Sequence, residues 1–176
     1  MSTRRRILVC LTATRKWYGK LIRWATRSRV NHSLVKHDDP FWGAWRATEI
    51  DERGPRDIDA RYLARFDYIE HWESDLDLGI GMRAMGRFVG MARYDWRGLL
   101  VGLLRAVLLR VGGWEVDKAI HSHGRLFCSE FVAEVLKRSK VPGTEEWIPA
   151  NVSPGDLRRF MKASPHFHQV DEPTEE

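Results

Sequence analysis

The chain has 176 residues, 43% of them apolar and eight of them tryptophan, which is enough for one domain with a real core and argues against a disordered chain. It holds two cysteines, Cys10 and Cys128, too few for a dense disulfide framework, and with no CxxC pair it has no thiolate-rich zinc site. The formal net charge is +5, and its distribution says more than its total.

In chain order, Arg6 to Thr12 reads as an opening strand. Lys16 to Arg27 reads as a helix, with Trp17, Leu21 and Trp24 at helical spacing. His32 to His37 is a short strand turned by Asp38-Asp39-Pro40. Trp42 to Ile50 is the next strand, with Trp45, Ala47 and Glu49 on one face, and Gly54-Pro55 closes this unit. Arg65 to Glu73 is a further strand. Asp77 to Val89 looks helical despite three glycines. Leu99 to Leu109 is an amphipathic helix whose stripe of Leu100, Leu103, Leu104, Val107, Leu108 and Val111 reads as a core face, and Gly112-Gly113 stops it. A helix from Ser129 to Arg138 ends before Val141-Pro142-Gly143, and Ser153-Pro154-Gly155-Asp156 enters a last short helix. The domain is expected to end near residue 163, with 164–176 a loose acidic tail. Helices clustered with a few short strands give α+β.

Cys128 is the most informative residue. It sits in Leu126-Phe127-Cys128-Ser129-Glu130-Phe131, where an extended approach meets the start of an amphipathic helix. Unpaired amide N–H groups and the positive end of the helix dipole favour a thiolate there; the plain alternative is a buried small hydrophobe. A cysteine hydrolase also needs a histidine to move the proton and a polar group to orient it. His32, in Arg29-Val30-Asn31-His32-Ser33, stands where a loop becomes a strand. Glu49 lies on the next strand, placed to accept the second ring N–H and to stabilise imidazolium. Taken alone, His32 reads equally as a half-buried histidine and Glu49 as a surface acid.

Several segments together resemble one family. Trp24 to Ser33, Trp45-Arg46-Ala47-Thr48-Glu49, Gly90 to Trp96, Phe127-Cys128-Ser129-Glu130-Phe131-Val132 and Ser153-Pro154-Gly155-Asp156-Leu157 are similar to the NlpC/P60 superfamily, in its circularly permuted papain-like branch with the YiiX-like proteins. The likeness spans roughly residues 6 to 160. It implies a permuted papain-like fold with a small antiparallel sheet packed on helices. It also implies a nucleophile at Cys128, a base at His32 and an orienting residue at Glu49. The implied activity is that of a cysteine peptidase or amidase, with cell-wall peptides one candidate substrate and lipid acyl groups another. The rival readings are an acyl hydrolase or acyltransferase acting on lipids or thioesters, and an inactive binding module on the same fold.

No cofactor is expected. His121 and His123 precede Cys128 closely but lack the further ligand a metal site wants; His123 ranks second to His32 as a base. Tyr94 and Asp95 are read as cleft-lining or capping residues, Glu130 as a first-turn carboxylate rather than a catalytic acid, and Arg125 as a holder of substrate charge or a support for the thiolate. Residues 1–30 carry nine basic residues and no acid, residues 38–77 twelve acids against five arginines, and residues 81–111 arginines with Asp95 the only acid. Such a surface could meet a membrane or an anionic polymer, and reads more simply as an ordinary solvated face beside an acidic one; the peptide, amide or acyl-containing substrate is what the resemblance implies, and no specific nucleic-acid motif is present. The apolar run Ile7 to Leu11 is short for an export signal and no charge-free stretch reaches membrane-spanning length, so the expectation is a cytoplasmic protein.

Overall fold

A computed structural model describes residues 6–14, 16–38, 44–51, 53–94, 125–171 and seven helical positions between 100 and 112. The elements run β1 (Ile7–Ala13), α1 (Trp17–Thr26), β2 (His32–Asp38), β3 (Trp45–Asp51), β4 (Gly54–Asp59), a 3-10 turn (Ala60–Arg65), β5 (Tyr68–Ser74), α2 (Gly79–Gly86), β6 (Arg93–Tyr94), β7 (Arg125–Leu126), α3 (Cys128–Arg138), a second 3-10 turn (Pro149–Asn151), α4 (Pro154–Ala163) and β8 (Phe167–Val170). The fold is α+β. Six antiparallel strands form one sheet in the order β4-β3-β2-β1-β5-β8, and β6 pairs with β7 in a short parallel ladder.

Strand β1 is buried along its whole length, which explains an unbroken apolar run where a half-exposed strand would alternate. Strand alternation sends Ile7, Val9, Leu11, Val35, Ile50 and Trp72 to one face, where they meet Phe131, Val135, Leu136, Leu157 and Met161 of α3 and α4 in the main core. Leu8, Cys10, Leu34, Ala47 and Ile58 point the other way, into a second cluster closed by Ala60 and Leu63 of the first 3-10 turn. Cys10 and Cys128 therefore belong to different layers, and neither is in a disulfide.

Several boundaries differ from the expectation. Gly54-Pro55 does not end the unit: it opens β4, an edge strand whose proline costs the sheet no inner ladder bond. Residues 60–65 form the 3-10 turn, so β5 starts later than expected. The segment after Ala163 is not wholly a loose tail. Phe167 is buried, and β8 adds an edge to β5 through His71↔Val170 and Ser74↔Phe167. The stripe read as a core face is only partly covered: Leu100, Leu104 and Val111 are 68%, 57% and 74% exposed, Val107 and Leu108 are half-buried, and Leu103 lies outside the described residues. On α1, Trp17 and Trp24 are 75% and 46% exposed. Helical spacing marks an amphipathic face without saying what covers it.

Glycine sets the approach of α2 to α3. A Cβ at Gly81 would lie 2.1 Å from the Val135 carbonyl oxygen and 2.6 Å from Ser139 Oγ, whereas one at Gly86 would meet nothing within 4 Å. Gly81→Ala is expected to lower stability by about 1–3 kcal/mol through overpacking. Gly86→Ala, in the same helix, is expected to be neutral or to add up to about 1 kcal/mol. Urea unfolding of the two variants tests this close approach.

Candidate active site

The nucleophile candidate is held by the start of α3. Phe127 is extended and Cys128 opens the helix. Glu130 Oε2 accepts the Phe127 N–H at 3.3 Å, which satisfies one donor at the helix start. Ser129 donates its hydroxyl to the Val152 carbonyl at 2.6 Å, pinning the first turn to the segment after the second 3-10 turn. Below this turn α3 is buried through Phe131, Val132, Ala133, Val135 and Leu136, so the thiol rides on a rigid support.

The base candidate comes from the sheet. His32 is the first residue of β2 and shares the second face with Leu34. Its ring packs against Phe66, with centroids 5.6 Å apart. Just upstream, Asn31 Oδ1 accepts the Thr14 N–H at 3.0 Å while its Nδ2 donates to the Thr14 carbonyl at 3.3 Å, fixing the chain that delivers His32. Glu49 lies opposite Leu34 on β3 and is fully buried. Its Oε2 stands 3.9 Å from His32 Nε2. Cys128 thus reaches the end of the sheet from the helical layer, and His32 and Glu49 reach it from the sheet's opposite face.

The three sequence-predicted residues are brought together. His32 and Cys128 shift each other's titration, each favouring the charged form of the other. Burial by itself would raise the thiol pKa, but the His32 charge, with hydrogen bonding from His32 and from the Ser33 and Ser129 backbone, lowers it. Burial would likewise lower the His32 pKa; the Cys128 thiolate and then Glu49 outweigh it and carry it up to about 9. Burial would raise the Glu49 carboxyl, yet His32 and Arg65 hold it down at about 2. Both shifts run toward the charged forms of the pair, thiolate and imidazolium, with the Glu49 carboxylate behind them.

Two arginines escaped the sequence reading. Arg56 Nη2 donates to Glu49 Oε1 at 2.6 Å and to Asp51 Oδ2 at 2.6 Å. Arg65 Nη2 donates to Glu49 Oε2. Arg56 is the direct cross-strand partner of Glu49, so reading Asp51 to Gly54 as a hairpin turn would have found it; Arg65 arrives by the 3-10 turn, which left no signal. The arginines clamp the carboxylate in place, and its charge stabilises imidazolium without taking the proton.

Among the other histidines, His37 lies on the first face, with Nε2 3.3 Å from Thr48 Oγ1, and His71 is buried in β5. His168 lies at the sheet edge, 3.9 Å from Glu73. His166 supplies a backbone carbonyl to Asp75. Glu130 caps the helix, as expected. Asp95, His121 and His123 lie outside the described residues, and among the described residues no cluster of three or more His, Cys, Asp or Glu side chains fits a metal ion. No helix among them is long and apolar enough to cross a membrane.

A thiolate at a helix start, a paired imidazolium and a clamped carboxylate suit nucleophilic attack on an electrophilic carbon. The pH dependence follows from the shifts. Alkylation of Cys128 should be half-maximal below the ordinary thiol midpoint of about 8.5, because its pKa is lowered. Any turnover that needs protonated His32 should fall as pH rises through about 9, where the ring gives up its proton. Alkylation rates and kcat/KM measured across the pH range check the two limbs. No family model matches this chain, and no curated protein matches it either.

Proposed function

We propose that the protein is a cysteine hydrolase of the permuted papain-like type that cleaves an amide or peptide bond by acyl transfer. The observation that carries this reading is the buried Cys128–His32 pair, with the Glu49 carboxylate 3.9 Å behind the imidazole. The order of the parts along the chain, with the histidine strand early and the cysteine helix late, supports the permuted arrangement.

The Cys128 thiolate attacks the substrate carbonyl carbon and forms an S–C bond, and the carbonyl π electrons move to oxygen. The Cys128 backbone N–H, at the start of α3, stabilises that oxyanion. His32 donates its proton to the leaving nitrogen as the C–N bond breaks, leaving a thioester and a free amine. Water then attacks the thioester with His32 as base, and the S–C bond breaks to release the carboxylic acid and restore the pair. Glu49 holds the ring and its charge throughout. Cell-wall peptides supply bonds of this class.

Cys128→Ala is expected to abolish turnover of peptide and small ester substrates while leaving the melting temperature within a few degrees. Intact mass of the wild type mixed with an activated ester should show one acyl adduct, mapped to Cys128. Turnover by the alanine variant, or an adduct on another residue, would sink the mechanism.

A further inference from the structure

The α1 helix carries its bulky apolar residues on the outside. Gly19, Ile22 and Ala25 face inward, while Trp17, Lys20 and Trp24 are exposed and Leu21 is half-buried between them. Positions 17, 20, 21 and 24 follow the spacing of a single helix face. Packing dictates this choice. A Cβ on Gly19 would lie 2.2 Å from Asn31 Nδ2 and 3.0 Å from the Thr14 carbonyl oxygen, so position 19 admits no side chain and this side of α1 is the one that packs closely, with the tryptophans on the other. Arg27, which ends the helix with φ of 52°, extends the exposed stripe with another cation.

We propose that this face of α1 is a docking surface for an anionic lipid bilayer. Charge complementarity selects the occupant, since Lys16, Lys20 and Arg27 are exposed along α1 and its two ends and the helix carries no acid. Tryptophan settles at the boundary between headgroups and acyl chains, and Lys and Arg beside it pair with anionic headgroups. A protein groove would have to desolvate Lys20 along with the two tryptophans between which it lies; headgroups leave it solvated. The position also fits. The inner face of α1 approaches Asn31, the residue before His32, so docking would leave the candidate site one helix away from the membrane surface. The surface stands independently of the thiol chemistry, and its test reads binding without turnover.

Co-sedimentation of the full chain with phosphatidylcholine vesicles, with and without phosphatidylglycerol, is the test. Binding is expected to vesicles that contain phosphatidylglycerol and to weaken with salt. Lys20→Glu with Arg27→Glu, and separately Trp17→Ala with Trp24→Ala, should each lower the partition coefficient by about tenfold or more, with melting temperatures checked in parallel. If the tryptophan pair fails to fold, the charge-reversed pair decides. Absence of sedimentation with the anionic vesicles, or binding that survives charge reversal in folded protein, overturns the proposal. So does tighter retention on duplex or single-stranded nucleic acid than on the vesicles.

Discussion

His32→Ala is expected to slow alkylation of Cys128 near neutral pH by about thirtyfold or more, because an ordinary thiol is only a few per cent thiolate there. Burial raises the Cys128 pKa, and the His32 charge is the largest effect opposing it. Removing the imidazole leaves a buried thiol with only backbone donors and the helix start to favour its charge, so its midpoint should move up to or past the ordinary range. Intact mass with peptide mapping separates this thiol from Cys10, which is fully buried in β1 and should stay inert in folded protein. Fast, low-pH alkylation retained in a folded His32→Ala variant would mean that the helix start alone activates the sulfur, and the base would have to be sought elsewhere.

Glu49 is expected to matter as much for folding as for chemistry. It is a fully buried carboxylate held by Arg56, Arg65 and His32. Glu49→Ala strands these cations, and losing one member of a buried ionic cluster costs about 3–5 kcal/mol. Arg56 keeps Asp51 as a partner, and the side chains of Arg56 and Arg65 are 31% and 40% exposed, which places the expected loss near the lower end, about 3 kcal/mol. Glu49→Gln keeps the shape and should cost less, while moving the His32 midpoint below about 9. The acid dependence has a defined sign. A carboxyl whose folded pKa is lowered from 4.5 to about 2 contributes stability that is complete above its unfolded value and lost as pH falls toward about 2. Wild type should therefore lose stability across that window more steeply than Glu49→Gln. Denaturant melts at several acid pH values decide this, and parallel curves for the two proteins would show that Glu49 is not the group responsible.

Much of the site was legible because its parts sit on strong local patterns. A cysteine followed by an amphipathic run marks a helix start, and a histidine at the mouth of an apolar strand marks a stiff position. Glu49 was placed on the correct face because side chains alternate along a strand. Its register against Leu34 came from the sheet. The clamping arginines were missed for different reasons: Arg56 was recoverable only by reading Asp51 to Gly54 as a hairpin turn rather than as the end of a unit, whereas Arg65 sits on a 3-10 turn with no periodic signature.

By itself, the sequence determined the α+β class, the α3 and α4 helix starts and the central strands, which rest on periodicity, capping and turn chemistry acting over a few residues. The grouping of Cys128, His32 and Glu49 came from the family resemblance, because His32 and Glu49 read alone were equivocal. Tertiary structure alone decided which side of each helix is buried, that residues 167–170 complete the sheet edge, and that Glu49 is clamped by two arginines. Those outcomes depend on which surfaces meet. At α1 the close approach of Gly19 to Asn31 turns Ile22 and Ala25 inward and leaves Trp17 and Trp24 exposed, whatever the hydrophobic pattern favours.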